Sequence, residues 1–204
     1  MRTAAIIPAR IWIQQVKGKA FNGSVRTAYD LVGLSSGSKI KKIDVVSVAT
    51  DHEAIRQACK QYGIPCVMTS ADQPTSTDRI YEAAQKISAD IYLCVNGDEP
   101  LMEAPILEQV IPESGEDFFA SNLMTQIHSP VEAIDETNIK VVTDQEGYAL
   151  FMSRSPIPHP KASMTFDYYK HLAFGIFYGC AAFLCKHKKG VLETIEDINE
   201  LRFI

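Results

Sequence analysis

The first half of the chain alternates short apolar runs with helical segments, and this alternation limits the possible folds more than any other feature. The runs contain Ile or Val and lie at residues 4–8, 43–49, 65–69 and 91–95. Helical patterns bounded by capping or breaker residues are predicted between them, at 25–34, 52–62 and 77–87. A β-α-β-α-β-α-β order builds a mainly parallel sheet with helices on both faces. The sequence therefore predicts an α/β fold.

The pattern changes from Phe118 onward. Strand-like runs lie at residues 118–127, 139–143, 148–152 and 170–178. Short polar segments separate them, and residues 144–147 have the composition of a hairpin turn. These runs predict mixed or antiparallel additions to the sheet, and a last helix is predicted at 191–203. The whole chain is predicted to be a single domain over residues 1–204, because domains commonly have about 100–200 residues.

Composition and charge exclude several classes of function. The 204 residues carry 20 Lys and Arg against 25 Asp and Glu, whereas nucleic-acid binders need clustered positive charge. No apolar run approaches the roughly 18 residues of a membrane span, and Pro8 interrupts the first run before a signal peptide could form. Five cysteines without a CxxC pair are typical of a reducing compartment. We therefore expect no nucleic-acid partner, no membrane insertion and a cytoplasmic location.

Polar and charged side chains follow each of the four predicted parallel strands. In such a sheet a ligand binds outside the carboxyl ends of the strands. The residues at these ends are Arg10 with Lys19 downstream, Thr50-Asp51, Thr69-Ser70 and the segment 96–100. Cations suit phosphate groups, and carboxylates suit a metal ion. The loop of Arg10 and Lys19 lacks a GxxxxGK[ST] pattern, and its spacing alone favours a solvated basic loop.

The segment Asn96-Gly97-Asp98-Glu99-Pro100 directly follows an apolar run. Glycine lets the backbone turn tightly against a ligand. Asp98 would then stand at the edge of the sheet, where Mg²⁺ could bridge a carboxylate and substrate phosphates. The same residues also suit an ordinary turn. On spacing alone the two interpretations are equally good.

Three further segments carry candidate binding residues. Thr77-Asp78-Arg79 opens a predicted helix and suits either a helix cap or the recognition of a base or sugar. Arg154 ends one predicted strand beside two prolines, and His171 begins another. Taken singly, Arg154 and His171 are more typical of structural or solvated residues. A carboxylate-bearing substrate would need such groups.

Several short segments occur along the chain in a specific order, although each one alone is common. They are Ile6–Arg10, Gly18-Lys19, Val48–Asp51, Thr77–Arg79, Gly97–Leu101, Lys140–Val142, Ala149-Leu150, Ser153–Pro158 and Lys170-His171. A weaker echo lies at Glu200-Leu201-Arg202. As an ordered set these segments resemble the 3-deoxy-manno-octulosonate cytidylyltransferases, from the N-terminus to about residue 171.

This resemblance implies a Rossmann-like nucleotide-diphospho-sugar transferase fold and a homodimer, in which about 118–178 would contribute to dimerisation and sugar binding. The implied enzyme joins CTP to 3-deoxy-manno-octulosonic acid (KDO) with Mg²⁺ and releases pyrophosphate, in lipopolysaccharide or capsule synthesis. The implied catalytic residues are Arg10, Lys19 and Asp98, with Asp98 as the metal ligand. The implied nucleotide-binding residues are Pro8, Ala9, Arg10, Lys19 and Arg79. The implied sugar-binding residues are Asn96, Arg154 and His171.

The chain also departs from the family pattern. Residues 11–17 replace a segment that carries Ser, Arg and Leu-Pro in the family, so that arginine is absent here. Asn96 replaces a glutamine, and Asn199-Glu200 stands where the family has Glu-Gln. The sequence ends at Ile204, ahead of the Gly-Val-Asp segment in which the family carries its second metal ligand.

These departures keep two alternatives to the KDO enzyme open. One is a cytidylyltransferase of the same fold that acts on a related ulosonic acid or a sialic-type acid. The other is a catalytically silent relative that binds nucleotide. The altered residue at 96 favours the first alternative, whereas the altered first loop favours the second.

Overall fold

The computed structural model describes residues 1–10, 42–95, 104–111, 120–162, 167–177 and 189–204. Lys19, Asn96, Asp98 and the predicted helix at 25–34 lie outside the described residues. The chain divides into two compact units. Unit 1 is Met1–Ser121 with Ala173–Leu184, and unit 2 is Asn122–Leu172 with Cys185–Ile204. The single domain over residues 1–204 stays a prediction.

Four parallel strands form the centre of unit 1. They are β1 (Thr3–Ala9), β2 (Val45–Thr50), β3 (Cys66–Met68) and β4 (Ile91–Cys94). Their order in the sheet is β3-β2-β1-β4. Strand β1 lies between two parallel neighbours, and its Ile6 and Ile7 are buried, as the uninterrupted apolar run predicts. The predicted parallel sheet is confirmed.

The helices of unit 1 that the structure describes are α1 (Glu53–Gln61), α2 (Ser76–Ala84) and α3 (Ala104–Gln109). The predicted starts of α1 and α2, at residues 52 and 77, are each wrong by one residue. His52 caps α1, with its Nδ1 accepting from the Ala54 N–H at 3.1 Å, and Thr75 caps α2 through its hydroxyl. A capping residue needs an extended backbone, which His52 and Thr75 have. Gly63 follows α1 with φ +67°, a left-handed conformation that glycine adopts without strain at the end of a helix.

Strand β8 (Tyr169–Phe177) adds an antiparallel strand to this sheet. Its last part belongs to unit 1 and pairs with β4, with Phe174 opposite Cys94 and Phe177 opposite Ile91. The predicted mixed addition is therefore confirmed. None of the helices in the part of the chain that the structure describes is long and apolar enough to cross a membrane.

Unit 2 is built on antiparallel pairs. Strand β5 (Ala120–Gln126), which enters it at Asn122, pairs with β8, and β6 (Lys140–Thr143) pairs with both β7 (Ala149–Ser153) and β8. The predicted hairpin turn between β6 and β7 is confirmed. The Asp144 N–H donates to the Tyr148 carbonyl at 2.9 Å, and Gly147 has φ +91°.

The C-terminal segment differs from the single helix predicted at 191–203. It consists of α5 (Val191–Glu196) and a 3₁₀ helix (Asn199–Arg202), separated by Asp197 at φ 51°. The break lets Arg202 reach Glu193, whereas residues nine apart in one continuous helix would be separated by about 13 Å along the axis. A short helix, α4 (Pro130–Ile134), has no counterpart in the sequence analysis.

The ion pair between Glu193 and Arg202 is buried. Arg202 donates from Nε to Glu193 Oε2 at 2.8 Å and from Nη2 to Oε1 at 2.5 Å, and both residues are less than a tenth exposed. Glu193 Oε2 also accepts from the Gly190 N–H at 3.1 Å, at the start of α5. A small apolar cluster of Val141, Met152, Ile198 and Leu201 gives this part of unit 2 its core.

We expect Glu193→Ala to lower the free energy of unfolding by about 3–5 kcal/mol, because Arg202 would stay buried without its partner. Urea unfolding followed by circular dichroism measures this loss. The double variant Glu193→Leu/Arg202→Met should recover much of the lost stability, since no unpaired charge is left. Glu146→Ala removes an exposed carboxylate and serves as the control. A Glu193→Ala loss no larger than that of the control would contradict the structural role of the pair.

Candidate functional site

The carboxyl end of β1 carries the first three predicted nucleotide-binding residues. Pro8 and Ala9 are still in the strand, paired with Ala49 and Thr50 of β2, and Arg10 follows directly. Strand β1 thus continues through Pro8 to Ala9, although the rigid φ and missing N–H of a proline favour a strand end at this position. Arg10 stands at the edge where ligands of parallel α/β sheets bind.

Arg79 lies in the first turns of α2 and is fully buried. Its Nη1 donates to the Thr69 hydroxyl just after β3, and its Nη2 lies 3.3 Å from Asp51 Oδ2 just after β2. Burial lowers the pKa of Arg79, the carboxylate of Asp51 opposes this, and the nearby charge of Arg10 lowers the pKa further. Three predicted strand-end segments therefore meet around one guanidinium group.

This group of residues has buried polar atoms that are not satisfied. Arg10 Nη2 and Thr77 Oγ1 have no hydrogen-bond partner within the described ranges, and Arg79 Nη2 has none there beyond its 3.3 Å ion pair with Asp51. A buried polar atom without a partner costs free energy, about 1–3 kcal/mol each and more for charged groups. Guanidinium N–H groups match the oxygen atoms of phosphates well. The arrangement is therefore suited to an anionic ligand such as a phosphate.

Glu82 holds the loop between β3 and α2 in place, which the sequence analysis missed. Its Oε2 accepts from the Ser70 N–H at 2.7 Å and from Gln73 Nε2 at 2.8 Å, and its Oε1 accepts from Lys86 Nζ at 2.8 Å. Burial raises the pKa of Glu82, but these hydrogen bonds outweigh it and lower the pKa to about 2. The only sequence signal was the Glu-Lys spacing of four residues on a helix.

We expect Glu82→Gln to lower the free energy of unfolding at pH 7 by roughly 1–2 kcal/mol, because the loop loses a charged acceptor. A carboxyl whose pKa is lowered in the folded state stabilises it above its ordinary pKa of 4.5, and this contribution fades as the pH falls towards about 2. Urea unfolding of both proteins from pH 7 to pH 3 measures the difference. Glu146→Gln is the control, and a Glu82→Gln loss that does not shrink over this range would contradict the assignment.

In unit 2, Arg154 is anchored by backbone carbonyl groups. Its Nε donates to the Glu196 carbonyl at 2.7 Å, and its Nη1 and Nη2 donate to the Glu136 and Asp197 carbonyls at 3.0 Å each. These bonds hold the end of α5 and its left-handed turn against the end of β7. They use three of the five N–H donors of the guanidinium group. The role of Arg154 in sugar binding stays a prediction.

His171 is held on two sides in unit 2. Its Nδ1 lies 2.7 Å from Asn122 Oδ1 of β5, and its Nε2 lies 3.7 Å from Glu200 Oε1 of the 3₁₀ helix. Burial lowers the pKa of His171, and the carboxylate of Glu200 opposes this. The sequence analysis noted Glu200 only within a weak motif and missed Asn122. Their contacts join positions 49 and 29 residues from His171, so no local pattern shows them.

Lys140 belongs to a matching segment to which no role was assigned. It is fully buried, and its Nζ donates to the carbonyl groups of Asp135 and Asn138 at 2.9 and 2.6 Å. Burial lowers the pKa of Lys140. The structure therefore places this ammonium group in the turn between α4 and β6, where it stabilises the backbone.

The predicted metal site is not tested by the described residues. Asp98, Asn96 and Lys19 lie outside them. Among the described residues, no group of three or more His, Cys, Asp or Glu side chains could hold a metal ion. Mg²⁺ binding by Asp98 and the roles of Lys19 and Asn96 stay predictions.

Unit 1 is a parallel α/β sheet that carries Arg10 and Arg79 at the edge where proteins of this class bind their ligands. Residues 4–204 match the cytidylyltransferase family. A 3-deoxy-manno-octulosonate cytidylyltransferase of Geobacter sulfurreducens is 33% identical over 99% of this chain and 86% of its own length. The chain therefore belongs to the cytidylyltransferase family and, within it, to the 3-deoxy-manno-octulosonate cytidylyltransferases.

Two further similarities agree with this assignment. A 3-deoxy-manno-octulosonate cytidylyltransferase of Geotalea daltonii is 37% identical over 78% of this chain, but the chain spans only 64% of that relative's length. A structure of CMP:2-keto-3-deoxy-manno-octonic acid synthetase complexed with CTP matches this chain with a TM-score of 0.83 and 26% identity. The match covers 100% of this chain and 85% of the chain in that structure. The predicted α/β nucleotidyltransferase fold is confirmed.

Proposed function

We propose that this chain transfers a cytidylyl group from CTP to KDO, giving CMP-KDO and pyrophosphate for lipopolysaccharide or capsule synthesis. The observation that carries the proposal is the presence of Arg10 and Arg79 at the carboxyl ends of the parallel strands. Arg10 Nη2 is buried without a partner among the described residues, and Arg79 Nη2 has only its ion pair with Asp51 there. The relatives named above support the choice of CTP and of an eight-carbon sugar acid. We place the enzyme in the cytoplasm, because the thiols of Cys59, Cys66 and Cys94 are free and a reducing compartment keeps thiols in this state.

The chemistry needs positioning and charge neutralisation more than a nucleophilic side chain. The anomeric hydroxyl of the sugar attacks the α-phosphorus in line, and pyrophosphate leaves. Arg10, together with Lys19 nine residues further along the chain, neutralises charge on the phosphate groups. Arg79 is held by Asp51 and Thr69, so its guanidinium group stays oriented without a loss of side-chain entropy on binding. Pro8 and Ala9 form the backbone against which the nucleotide lies.

We also propose that Asp98 holds Mg²⁺. Strand β4 is parallel to β1, so its carboxyl end lies on the same edge as Arg10, and Asp98 follows four residues after Cys94. A carboxylate next to phosphate-binding cations is the usual protein ligand of this ion. Mg²⁺ bound there would stabilise charge on the phosphate groups. On the sugar side, Asn96, Arg154 and His171 would bind the acid.

The first test is pyrophosphate release by the purified chain with CTP, Mg²⁺ and KDO, with no-sugar and sialic-acid controls. We expect pyrophosphate release in the reaction with KDO and none in the no-sugar and sialic-acid controls. Asp98→Asn should lower the rate at least a hundredfold without unfolding the protein, because a metal ligand is lost at the reacting phosphate. Glu146→Gln is the matched control in an exposed turn and should keep the wild-type rate.

Each other outcome of this test selects an alternative. Release only with a sialic-type acid would contradict KDO as the substrate and favour the related-acid enzyme. Saturable CTP binding without release with any acid would contradict the activity and favour the silent relative. An Asp98→Asn rate equal to the wild-type rate would contradict the metal assignment alone.

We further propose that the protein is a homodimer in which α5 takes part. This helix exposes Val191 at 76%, Leu192 at 52% and Ile195 at 73%, while its Glu193 is fully buried. A solvent-facing helix normally shows the opposite pattern, and clustered exposed apolar side chains mark interaction sites. The homodimer that the family resemblance implies and the exposed apolar side chains of α5 both support an interface at this helix.

We expect Val191→Glu/Ile195→Glu to convert the dimer to a monomer, because two carboxylates would be buried in an apolar contact. Light scattering during size-exclusion chromatography measures the mass, which should halve. Tyr62→Glu changes an exposed apolar residue of unit 1 and should leave the mass unchanged. A wild-type monomer, or a double variant that remains a dimer, would contradict this interface.

A further inference from the structure

The surroundings of His171 in unit 2 point to a residue that acts through it. We propose that Asn122 is a positioning residue that fixes the tautomer and the ring plane of His171, so that Nε2 keeps its lone pair and accepts a hydrogen bond from a hydroxyl group of the sugar acid. This inference rests on the proposed function, because it assigns His171 to the acid. It concerns a side chain for which the sequence predicted no role.

The first step is the short contact between Asn122 and His171. The Asn122 Oδ1 lies 2.7 Å from Nδ1 of the ring, within normal hydrogen-bond length. A carbonyl oxygen only accepts hydrogen bonds, so with Asn122 Oδ1 facing the ring this contact requires Nδ1 to donate and to carry the proton. The side chain of His171 is only 7% exposed, and water therefore competes little with this bond. In the neutral ring, Nε2 then carries the lone pair.

The other ring nitrogen of His171, Nε2, lies on the side of the 3₁₀ helix. Nε2 lies 3.7 Å from Glu200 Oε1, a separation longer than a hydrogen bond. Glu200 is itself buried, at 8% exposure. A ring turned by 180° would place Nδ1 towards this carboxylate and would lose the bond to Asn122. Asn122 therefore decides which nitrogen lies on the side of the 3₁₀ helix.

The third step is that the backbone around the ring is fixed independently of Asn122. The His171 N–H donates to the Ile139 carbonyl at 2.9 Å. The helix that carries Glu200 is held by the Arg202–Glu193 pair. Removing the Asn122 amide therefore frees the ring without freeing the strand or the helix. This separates a positioning role from a purely structural one.

The test uses the full chain labelled with ¹⁵N-histidine, with the His171 signals assigned from their loss in His171→Gln. We expect a protonated Nδ1 in the wild type, a shift towards protonated Nε2 in Asn122→Ala, and a return to protonated Nδ1 in Asn122→Asp, which restores an acceptor oxygen. In turnover, Asn122→Ala should raise KM for KDO about tenfold, the equivalent of one hydrogen bond, while kcat and KM for CTP change less than twofold. Asn122→Asp should regain part of the lost affinity.

Several results would overturn the proposal. They are a protonated Nε2 in the wild type, an unchanged tautomer in Asn122→Ala, and equal rises in KM for KDO and for CTP. If the wild type shows no turnover, the proposed function fails separately, and KDO is titrated against the His171 signals instead. Shifts that need about tenfold more KDO in Asn122→Ala would still support positioning. Equal titrations, or none in either protein, would overturn it.

Discussion

The burial of the Arg79 guanidinium group is the constraint on which the rest of unit 1 depends. A buried cation is tolerated only when it is paired and hydrogen-bonded, and here the partners Asp51 and Thr69 follow two different strands. The guanidinium group of Arg79 therefore connects the carboxyl ends of β2 and β3 to the start of α2. Glu82, three residues further along α2, fixes the same loop through Ser70 and Gln73.

Unit 2 depends on charges in a similar way, although its apolar core is small. The Glu193–Arg202 pair folds the C-terminal segment back on itself, and Arg154 satisfies the carbonyl groups at the resulting turn. That turn brings Glu200 to His171. The position of Glu200 beside the candidate sugar-binding histidine thus depends on this ion pair, because the pair sets the path of the backbone from α5 to the 3₁₀ helix.

Local pattern was sufficient to predict the strands, the parallel order and the β6–β7 hairpin, because apolar runs and turn residues act over a few positions. It failed where a distant partner decided the outcome. The helix predicted at 191–203 breaks at Asp197, and the ion pair between Arg202 and Glu193, nine residues apart, stabilises the broken path. The ordered motifs located Arg10, Arg79 and His171, but Asp51, Glu82 and Asn122 acquire their roles only through contacts between elements. Roles for Lys19, Asn96 and Asp98 stay predictions.

The charge balance of the unit 1 site links its stability to its ligand. Two described cations, Arg79 and Arg10, lie near each other at this site, and the carboxylate that contacts the Arg79 guanidinium group is that of Asp51. Among the described residues Arg10 Nη2 has no partner and Arg79 Nη2 has only its ion pair with Asp51, so both atoms can donate to a further anion. A phosphate ligand would supply that anion, so the free energy lost to unsatisfied donors in the free protein becomes part of the binding free energy. A phosphate ligand that satisfies these donors would therefore also stabilise unit 1 against unfolding.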